Sequence, residues 1–225
     1  MYLEKTVGGE KLIVSDDVDY VRKLYDTKTP AVLLLTDDNK SADSFGIRYA
    51  VESLADDVLT EDYCRLVIAR IKGEPLTIGE TERLIIRELT LDDTKDITGL
   101  YKSGDAPFLE SFFTDDDEAE ALIKRYIDEV YGFYGYGIWG IFDKHTGEFT
   151  GIAGLSHRDN DNLELGYAIV SDKRRMGYGY EACMAVIKYA EQNIDYDKII
   201  IVTDKDNTAS IKLADKLPGI TVNVK

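Results

Sequence analysis

The stretch of this sequence that most constrains its fold is "LELGYAIVSDKRRMGYGYEACMAVIKYAEQNI", residues 163–194. An alternating strand pattern passes through a short basic turn into a helical pattern, so a helix begins near Gly177. A helix start exposes backbone N–H groups and the positive end of the helix dipole. Glycine at 177 and 179 removes the side chains that would keep a ligand away, and three basic residues at 173–175 add positive charge. The stretch predicts a diphosphate site. The alternative is a glycine-rich turn with solvated basic side chains.

The chain as a whole is acidic. It has 225 residues, of which 43 are Asp or Glu and 27 are Lys or Arg, giving a formal net charge of −16. Residues 1–80 carry −6 of this charge and residues 81–225 carry −10. Nucleic acid is a poor partner for such a surface, because phosphate contacts need clustered Lys and Arg. A cationic substrate would be attracted instead; the alternative is that the acidity serves solubility alone.

Other features of the sequence disfavour a membrane protein and a metalloprotein. No apolar run approaches the ~20 residues of a membrane helix, and "MYLEKTVGGE" lacks the apolar stretch of a signal peptide. We therefore expect a cytoplasmic monomer or homodimer that does not bind membranes. Cys64 and Cys183 lie among apolar residues, which favours reduced core residues over a disulfide. His145 and His157 are the only histidines and form no Cys/His cluster, so no metal site is expected.

Residues 1–80 alternate strand and helix patterns. The strand patterns are "KLIVS", "AVLLL" and "IRYAVESL", and the helical patterns are "DVDYVRKLYDT" and "TEDYCRLVIARIKG". Thr60 is the predicted N-cap of the second helix and Gly73 its end. This order predicts a small α/β Rossmann-like domain with a parallel sheet. Asp16 and Asp17 follow the first strand, where such folds place active sites, although Asp17 also suits a helix N-cap.

The same segment distantly resembles the later half of a haloacid-dehalogenase-type Rossmann domain. That family has an Asp-x-Asp nucleophile motif followed by Thr or Val, whereas the aspartates of Asp17-Val18-Asp19 are followed by Tyr20 and Val21. We interpret residues 1–80 as a structural or regulatory domain. The alternative is a phosphatase centred on Asp16 and Asp17.

Residues 73–82, "GEPLTIGETE", indicate the join to a second domain, 81–225. A strand pattern, "RLIIREL", is followed there by two helical patterns, "TLDDTKDITGLY" and "DDDEAEALIKRYIDEVYGFYG". The pattern then changes to period two in "YGIWGIFDKHTGEFTGIAGLSH", where Thr146-Gly147 suits a hairpin turn. After residue 163 a strand, helix, strand and helix follow, and "KLPGITVNVK" predicts only a short final strand. This order is that of an α+β domain.

Within this domain the basic turn matches the Arg/Gln-x-x-Gly-x-Gly/Ala motif of the GNAT N-acetyltransferases. "ELGYAIVSDKRRMGYGYEA" is most similar to the branch that acetylates ribosomal-protein N-termini. The resemblance covers about residues 82–220 and implies the GNAT fold, a mixed, mostly antiparallel sheet with flanking helices. It implies acetyl-CoA as co-substrate and no metal. It also implies that the pyrophosphate is bound by Arg174, Arg175, Met176, Gly177, Tyr178 and Gly179, that the backbone of Ala168, Ile169 and Val170 pairs with the pantetheine arm, and that Asn207 meets the cofactor.

The catalytic residues follow partly from the resemblance and partly from position. Many relatives carry a tyrosine general acid seven residues after the Asn, where this chain has Ala214. Ser210 resembles the serine of the ribosomal-protein branch and is the candidate substitute. Glu164 shares one strand face with the very small Gly166 and Ala168, which indicates a face kept open for a ligand. Glu164 is therefore the candidate general base; the alternative is a solvated edge glutamate.

The sequence thus predicts an N-acetyltransferase that moves an acetyl group from acetyl-CoA to a primary amine. The expected acceptor is a protein N-terminus, a polyamine-like molecule or an amino sugar. The alternative is a non-catalytic acyl-CoA-binding or sensing module, which would keep the basic turn without turnover.

Overall fold

The computed structural model describes residues 2–106 and 116–225. The chain divides into two compact units, Met1–Leu76 and Thr77–Lys225. The sequence analysis placed the boundary after residue 80, but Thr77–Glu80 is a strand that pairs within the sheet of the second unit. The second unit therefore begins at residue 77 rather than 81.

Residues 2–76 form four strands and two helices. These are β1 (Tyr2–Val7), β2 (Glu10–Ser15), α1 (Val18–Asp26), β3 (Ala31–Leu34), β4 (Ala50–Val51) and α2 (Glu61–Lys72). The strands lie in the order β1-β2-β3-β4. β2, β3 and β4 are parallel, as the β-α-β order predicts, whereas β1 pairs antiparallel with β2 and was not predicted. β4 has only two residues, so most of "IRYAVESL" is not strand.

The two helices of the first unit pack on different sets of strand residues. Ala31 and Leu33 of β3 form an apolar cluster with Val21 of α1. Val32 and Leu34 pack instead with residues of α2. Because both faces of β3 are covered, all four of its residues are buried, and the strand reads as an uninterrupted apolar run.

The capping residues of α2 are those that the sequence predicts. Thr60 Oγ1 accepts the backbone N–H of Tyr63 at 3.2 Å, which satisfies one of the unpaired donors at the helix start. Gly73 ends the helix with a φ of 74°, a left-handed conformation that favours glycine.

The second unit contains a seven-stranded sheet within its described residues, in the order β11-β10-β9-β8-β7-β6-β5. The strands are β5 (Thr77–Glu80), β6 (Leu84–Arg87), β7 (Ile138–Asp143), β8 (Phe149–His157), β9 (Leu163–Ile169), β10 (Ile199–Thr203) and β11 (Ile220–Val224). Neighbours from β5 to β9 pair antiparallel, and β9, β10 and β11 are parallel. The sheet is mixed and mostly antiparallel, as predicted.

Helices cover both faces of this sheet. They are α3 (Thr94–Lys102), α4 (Asp116–Tyr126), which continues through the π-helical turn Ile127–Tyr131 into α5 (Gly132–Tyr134), α6 (Tyr178–Asn193) and α7 (Thr208–Ala214). On one face, Trp139, Leu165 and Ile201 pack with residues of α6 such as Val186. On the other face, Ile152 and Ala168 form a cluster with residues of α3 and α4. The period-two pattern of the strands thus separates two apolar layers.

The β7–β8 hairpin has the predicted turn. Asp143 Oδ1 accepts the backbone N–H groups of His145 and Thr146, both at 2.9 Å. Gly147 adopts a φ of 74°, which a side chain would disfavour.

Candidate functional site

The parallel strands β9 and β10 pair over only part of their length. In the described residues, Leu163 pairs with Ile199 and Glu164 with Ile200, and the pairing ends there. The N–H of Leu163 donates to Lys198 O, on the β10 side, at 2.9 Å. Backbone groups alternate in direction along a strand, so those of Leu165, Tyr167 and Ile169 also point toward β10. Beyond Glu164 this row of donors and acceptors faces an opening in the sheet.

Of the three residues predicted to pair with pantetheine, only Ile169 directs its backbone toward the β10 side, and its carbonyl already accepts Arg174 Nε at 3.0 Å. Val170 N–H donates to Thr150 O at 3.0 Å, on the opposite side. The carbonyl of Ala168 lies against Gly151 of β8, only 2.1 Å from where a Cβ would stand. The predicted pairing of Ala168 and Val170 with pantetheine therefore does not agree with the structure, because the Ala168 carbonyl and the Val170 N–H face β8. Leu165 and Tyr167, which were not predicted, share the β10-facing backbone direction of Ile169.

The loop of residues 171–177, which we call the β9–α6 loop, leads from this opening into α6. Arg175 has a φ of 64° and Gly177 a φ of 86°, both left-handed. Gly177 is the N-cap residue of α6, and no side chain at that position caps the first turn. The loop residues from Arg174 to Gly177 are exposed. The loop that leads into this 16-residue helix is thus exposed, and the diphosphate site there stays a prediction.

The second glycine of the motif has a different role from the one predicted. A Cβ on Gly179 would lie 3.2 Å from Leu213 Cδ1 and 3.5 Å from Tyr167 Cε2. Its missing side chain therefore permits close packing between α6, α7 and β9, and it does not clear space for a ligand. Tyr178 also points inward, with 7% of its surface exposed. At the start of α6, Tyr178 and Gly179 therefore offer a ligand only their backbone N–H groups.

Two of the three cations beside the loop form ion pairs within the second unit. Lys173 Nζ lies 2.8 Å from Glu148 Oε2. Arg174 donates from Nη2 to Asp105 Oδ1 at 2.5 Å and from Nε to Ile169 O at 3.0 Å. Asp105 also accepts a hydrogen bond from Ser171 Oγ at 2.8 Å. The family resemblance implies a pyrophosphate contact for Arg174, which stays a prediction; in the structure its Nε and Nη2 hold the loop to the end of β9 and to Asp105.

Asp105 was missed by the sequence analysis. Burial raises the pKa of its carboxyl, but hydrogen bonds from Ser171 and Ser103 and the charge of Arg174 outweigh burial, so the pKa lies below its ordinary value. Asp105 is therefore ionised at neutral pH and can anchor Arg174. The two residues are 69 positions apart, and no local pattern joins them.

A second anchor of the loop was also missed. Arg83, directly before β6, donates from Nη1 to the carbonyl of Met176 at 2.9 Å. Its other guanidinium nitrogens bind the carboxylate of Glu181 in the first turn of α6, at 2.8 and 2.5 Å. The guanidinium also lies 4.5 Å from the ring centroid of Tyr178. The loop is thus held by side-chain contacts at both of its ends.

Glu164 lies on the sheet face opposite to α6, because Leu163 and Leu165 on either side of it pack in the core that includes α6. Its carboxylate accepts a hydrogen bond from Arg158 Nε at 2.6 Å, and the two side chains are 29% and 39% exposed. Ser156 of β8 lies directly opposite Glu164, and Gly154 lies opposite Gly166 one row further along. Gly154 is buried, and a Cβ there would stand 2.1 Å from the Gly137 carbonyl oxygen, so this glycine permits the close approach of the neighbouring backbone. Arg158 holds the carboxylate in a fixed orientation.

Asn207 and Ser210 lie together at the start of α7. Asn207 Oδ1 accepts the backbone N–H of Ser210 at 3.0 Å, so Asn207 is the N-cap of the helix. Ser210 is 9% exposed. Its hydroxyl is hydrogen-bonded to Tyr167, and this bond only partly offsets the burial that raises the Tyr167 pKa. Because the Tyr167 ring faces α6 and α7, Ser210 and Glu164 lie on opposite faces of the sheet.

Asp17 has a structural role through its side chain, and Asp16 through its backbone carbonyl. Asp17 Oδ1 accepts the backbone N–H of Tyr20 at 2.9 Å and so caps α1. Asn39 Nδ2 donates to the carbonyls of Asp16 and Leu34, both at 2.8 Å, which joins the ends of β2 and β3. Among the described residues, no three His, Cys, Asp or Glu side chains are grouped as a metal ion would require.

Comparison with known proteins gives one family match. Residues 83–218 match the family described as Acetyltransferase (GNAT) domain. Over 87 residues the chain is 33% identical to the uncharacterized protein YkkB of Bacillus subtilis (strain 168), a match that covers 37% of this chain and 51% of YkkB. The chain therefore spans about half the length of that relative. It is 26% identical over 141 residues to the uncharacterized N-acetyltransferase p20 of Bacillus licheniformis, which covers 61% of this chain and 79% of p20.

Solved structures show the same fold. The ribosomal L7/L12 alpha-N-protein acetyltransferase RimL, solved in complex with coenzyme A, superimposes with a TM-score of 0.51 at 16% identity. The superposition covers 63% of this chain and 82% of that one. None of the helices in the described residues is both long enough and apolar enough to cross a membrane.

Proposed function

Because the chain belongs to the GNAT acetyltransferase family, we propose that it transfers the acetyl group of acetyl-CoA to a primary amine. The observation that carries this proposal is the junction of β9 and α6. An uncapped helix start suits a diphosphate, because its N–H groups and dipole favour negative charge. The unpaired backbone row of β9 suits an extended arm that contains amide groups.

The residues at this junction fit coenzyme A. The backbone N–H groups at the start of α6 and the exposed Arg175 would hold the pyrophosphate. The backbone of Leu165 and Tyr167 would pair with the pantetheine arm. When bound, acetyl-CoA supplies the acetyl group as a thioester. Asn207 has its side-chain oxygen bound to Ser210, so any contact it makes with the cofactor uses its remaining groups.

Acetyl transfer to an amine forms a C–N bond and breaks a C–S bond. The amine must first lose a proton, because an ammonium has no lone pair, and the departing sulfur must gain one. We assign the first role to Glu164, acting directly or through one water, and the second to Ser210. Their positions on opposite faces let one serve the incoming amine and the other the departing sulfur. Arg158 orients the Glu164 carboxylate.

The acceptor is proposed to be a cationic amine, such as a protein N-terminus, a polyamine-like molecule or an amino sugar. Residues 81–225 carry a net charge of −10, which attracts an ammonium group. RimL, whose fold this unit shares, is named for acetylating the N-terminus of a ribosomal protein. We further propose that the first unit has a structural or regulatory role and that the protein acts in the cytoplasm.

A second candidate function is a non-catalytic acyl-CoA sensor. The observation in its favour is that both assigned catalytic groups are engaged: Glu164 by Arg158, and Ser210 by Tyr167 in a buried position. Such a protein would bind coenzyme A through the same loop and strand edge without turnover.

Thiol release from acetyl-CoA, measured over a panel of amines, peptides and aminoglycosides, tests the proposal. We expect release of free thiol with one or more acceptors, matched by one acetyl group gained per acceptor in mass spectrometry. Coenzyme A binding by calorimetry without thiol release over the whole panel would favour the sensor. Absence of both binding and release would contradict both functions.

A further inference from the structure

The peptide between Met176 and Gly177 has a defined orientation. Its carbonyl accepts a hydrogen bond from Arg83 Nη1 at 2.9 Å. In a trans peptide the C=O and the following N–H point in opposite directions. The N–H of Gly177 is therefore turned away from Arg83, toward the exposed side of the β9–α6 loop.

Arg83 is itself held in place by the Glu181 carboxylate, both oxygens of which accept two hydrogen bonds. Glu181 Oε2 accepts from Arg83 Nε and Nη2, while Oε1 accepts from Thr81 Oγ1 at 2.5 Å and from the backbone N–H of Arg83 at 3.1 Å. Burial raises the pKa of Glu181, but the hydrogen bonds from Thr81 and Arg83 outweigh burial and the pKa lies below its ordinary value. The carboxylate thus remains charged and leaves Nη1 as the nitrogen directed at Met176.

The same guanidinium limits what the loop can accommodate. A Cβ on Gly177 would lie 3.3 Å from Arg83 Nη2, and the φ of 86° disfavours any side chain there. Arg83 also packs on the Tyr178 ring. The left-handed backbone at residue 177 and the nearby Arg83 guanidinium therefore both favour glycine at this position.

We propose that Arg83 is a positioning residue for coenzyme A: through Glu181 and the Met176 carbonyl it fixes the Gly177 N–H toward the bound pyrophosphate. This inference rests on the proposed function. Arg83 acts through orientation rather than charge, because its charge is balanced by Glu181 at 2.5 Å. A lysine keeps the charge but cannot bind a carboxylate with two nitrogens and a carbonyl with a third.

The test compares Arg83→Lys and Arg83→Met with a control, Lys144→Met, in the full chain. Lys144 forms an ion pair with Glu80 at 2.8 Å on the surface of the same unit, so its side chain is directed at β5 rather than at the loop. The dissociation constant for coenzyme A is measured by calorimetry, and kcat and KM for acetyl-CoA are measured with an accepted amine. We expect both Arg83 variants to weaken binding by about tenfold, equivalent to ~1.4 kcal/mol, with kcat at saturation nearly unchanged. Lys144→Met should bind like the wild type.

Recovery of wild-type affinity in Arg83→Lys would overturn the inference, since charge alone would then suffice. A measurement on the wild type does not depend on how the variants fold. On addition of coenzyme A, the Gly177 amide proton should show one of the largest NMR shifts in the loop. An unshifted Gly177 amide beside shifted neighbours would also overturn the inference. Absence of coenzyme A binding by the wild type would instead overturn the proposed function itself.

Discussion

At the scale of single residues, Asp93 shows how a buried charge is stabilised in this chain. Its carboxylate binds both terminal nitrogens of Arg87, at 2.8 and 2.9 Å, and accepts the backbone N–H of Thr90 at 2.7 Å. Its side chain is 6% exposed. Burial raises the pKa of Asp93, but the hydrogen bonds from Arg87 and Thr90 outweigh burial, so the pKa lies below its ordinary value.

We predict that Asp93→Asn lowers the free energy of unfolding by about 3 kcal/mol at pH 7, the scale for removing one partner of a buried ion pair. A lowered folded pKa means that this stability is fully present above the ordinary pKa, about 4, and is lost as the pH falls from there through the lower pKa of the folded state. The difference between wild type and variant should therefore shrink as the pH is lowered below about 5. Urea denaturation at several pH values measures this. The exposed neighbour Asp92, as Asp92→Asn, is the control and should change stability little.

Glu164 allows a second prediction at this scale. Glu164→Gln should lower kcat by about 10²-fold or more, because the amide cannot accept the amine proton, while the affinity for coenzyme A stays the same. Ser210→Ala should be milder, since water can protonate the sulfur. Ser156→Ala, on the same sheet face, is the control. An equal loss of coenzyme A affinity in Glu164→Gln would make this residue structural, and a larger kcat loss at Ser210 would reverse the ranking.

At the scale of elements, the two glycines around the start of α6 have different surroundings. Gly177 is exposed and left-handed, whereas Gly179 faces Leu213 and Tyr167. We predict that Gly177→Val abolishes coenzyme A binding at a modest cost in stability, about 1–2 kcal/mol for a side chain in the left-handed region. Gly179→Val should mainly destabilise the fold, by about 1–3 kcal/mol, because it overfills a packed contact. Calorimetry and thermal unfolding of both variants distinguish these effects, and the reverse pattern would contradict the assignment.

The elements that the sequence predicted well are those with a complete local signal. The alternation in β9 and the helical spacing in α6 follow from apolar residues that are buried on one side. β1 was missed because it is an edge strand in which only Val7 is buried, so it carries no apolar pattern. Whether Gly179 faced a ligand or the core depended on how α6 is rotated against β9, which spacing does not determine.

The part of the candidate site that lies within one segment of the sequence was predicted. The parts that form where distant segments meet were missed. The β9–α6 loop could be recognised from its own residues. Arg83 and Glu181 are 98 positions apart, and the pair became visible only when β6 and α6 were placed side by side. The end of β9–β10 pairing at Glu164 is likewise a property of the sheet and has no counterpart in the pattern of either strand.

At the scale of the whole molecule, the net charge of −16 predicts how ionic strength affects the reaction. The Debye length falls from about 30 Å at 0.01 M salt to about 10 Å at 0.1 M, so attraction of a cationic acceptor is screened over this range. We expect kcat/KM for the acceptor to fall with rising salt while kcat stays nearly constant, measured by initial rates at saturating acetyl-CoA. A neutral acceptor of similar size is the control. A salt-independent kcat/KM for the cationic acceptor would show that the acidity serves solubility alone.

The two free cysteines are distributed one to each unit. Cys64 lies in the apolar core that α2 forms with its sheet, and Cys183 lies in the core beneath α6. Burial raises the pKa of both thiols, which keeps them in the less reactive protonated form. Burial also keeps reagents away from the sulfur atoms. An alkylating reagent should therefore modify each cysteine only when its own unit opens. Followed by peptide mass spectrometry at increasing urea, the two labelling rates should diverge if the units unfold separately and stay in a fixed ratio if they unfold together. The native chain thus contains, in each of its two units, a chemical probe of the opening of that unit.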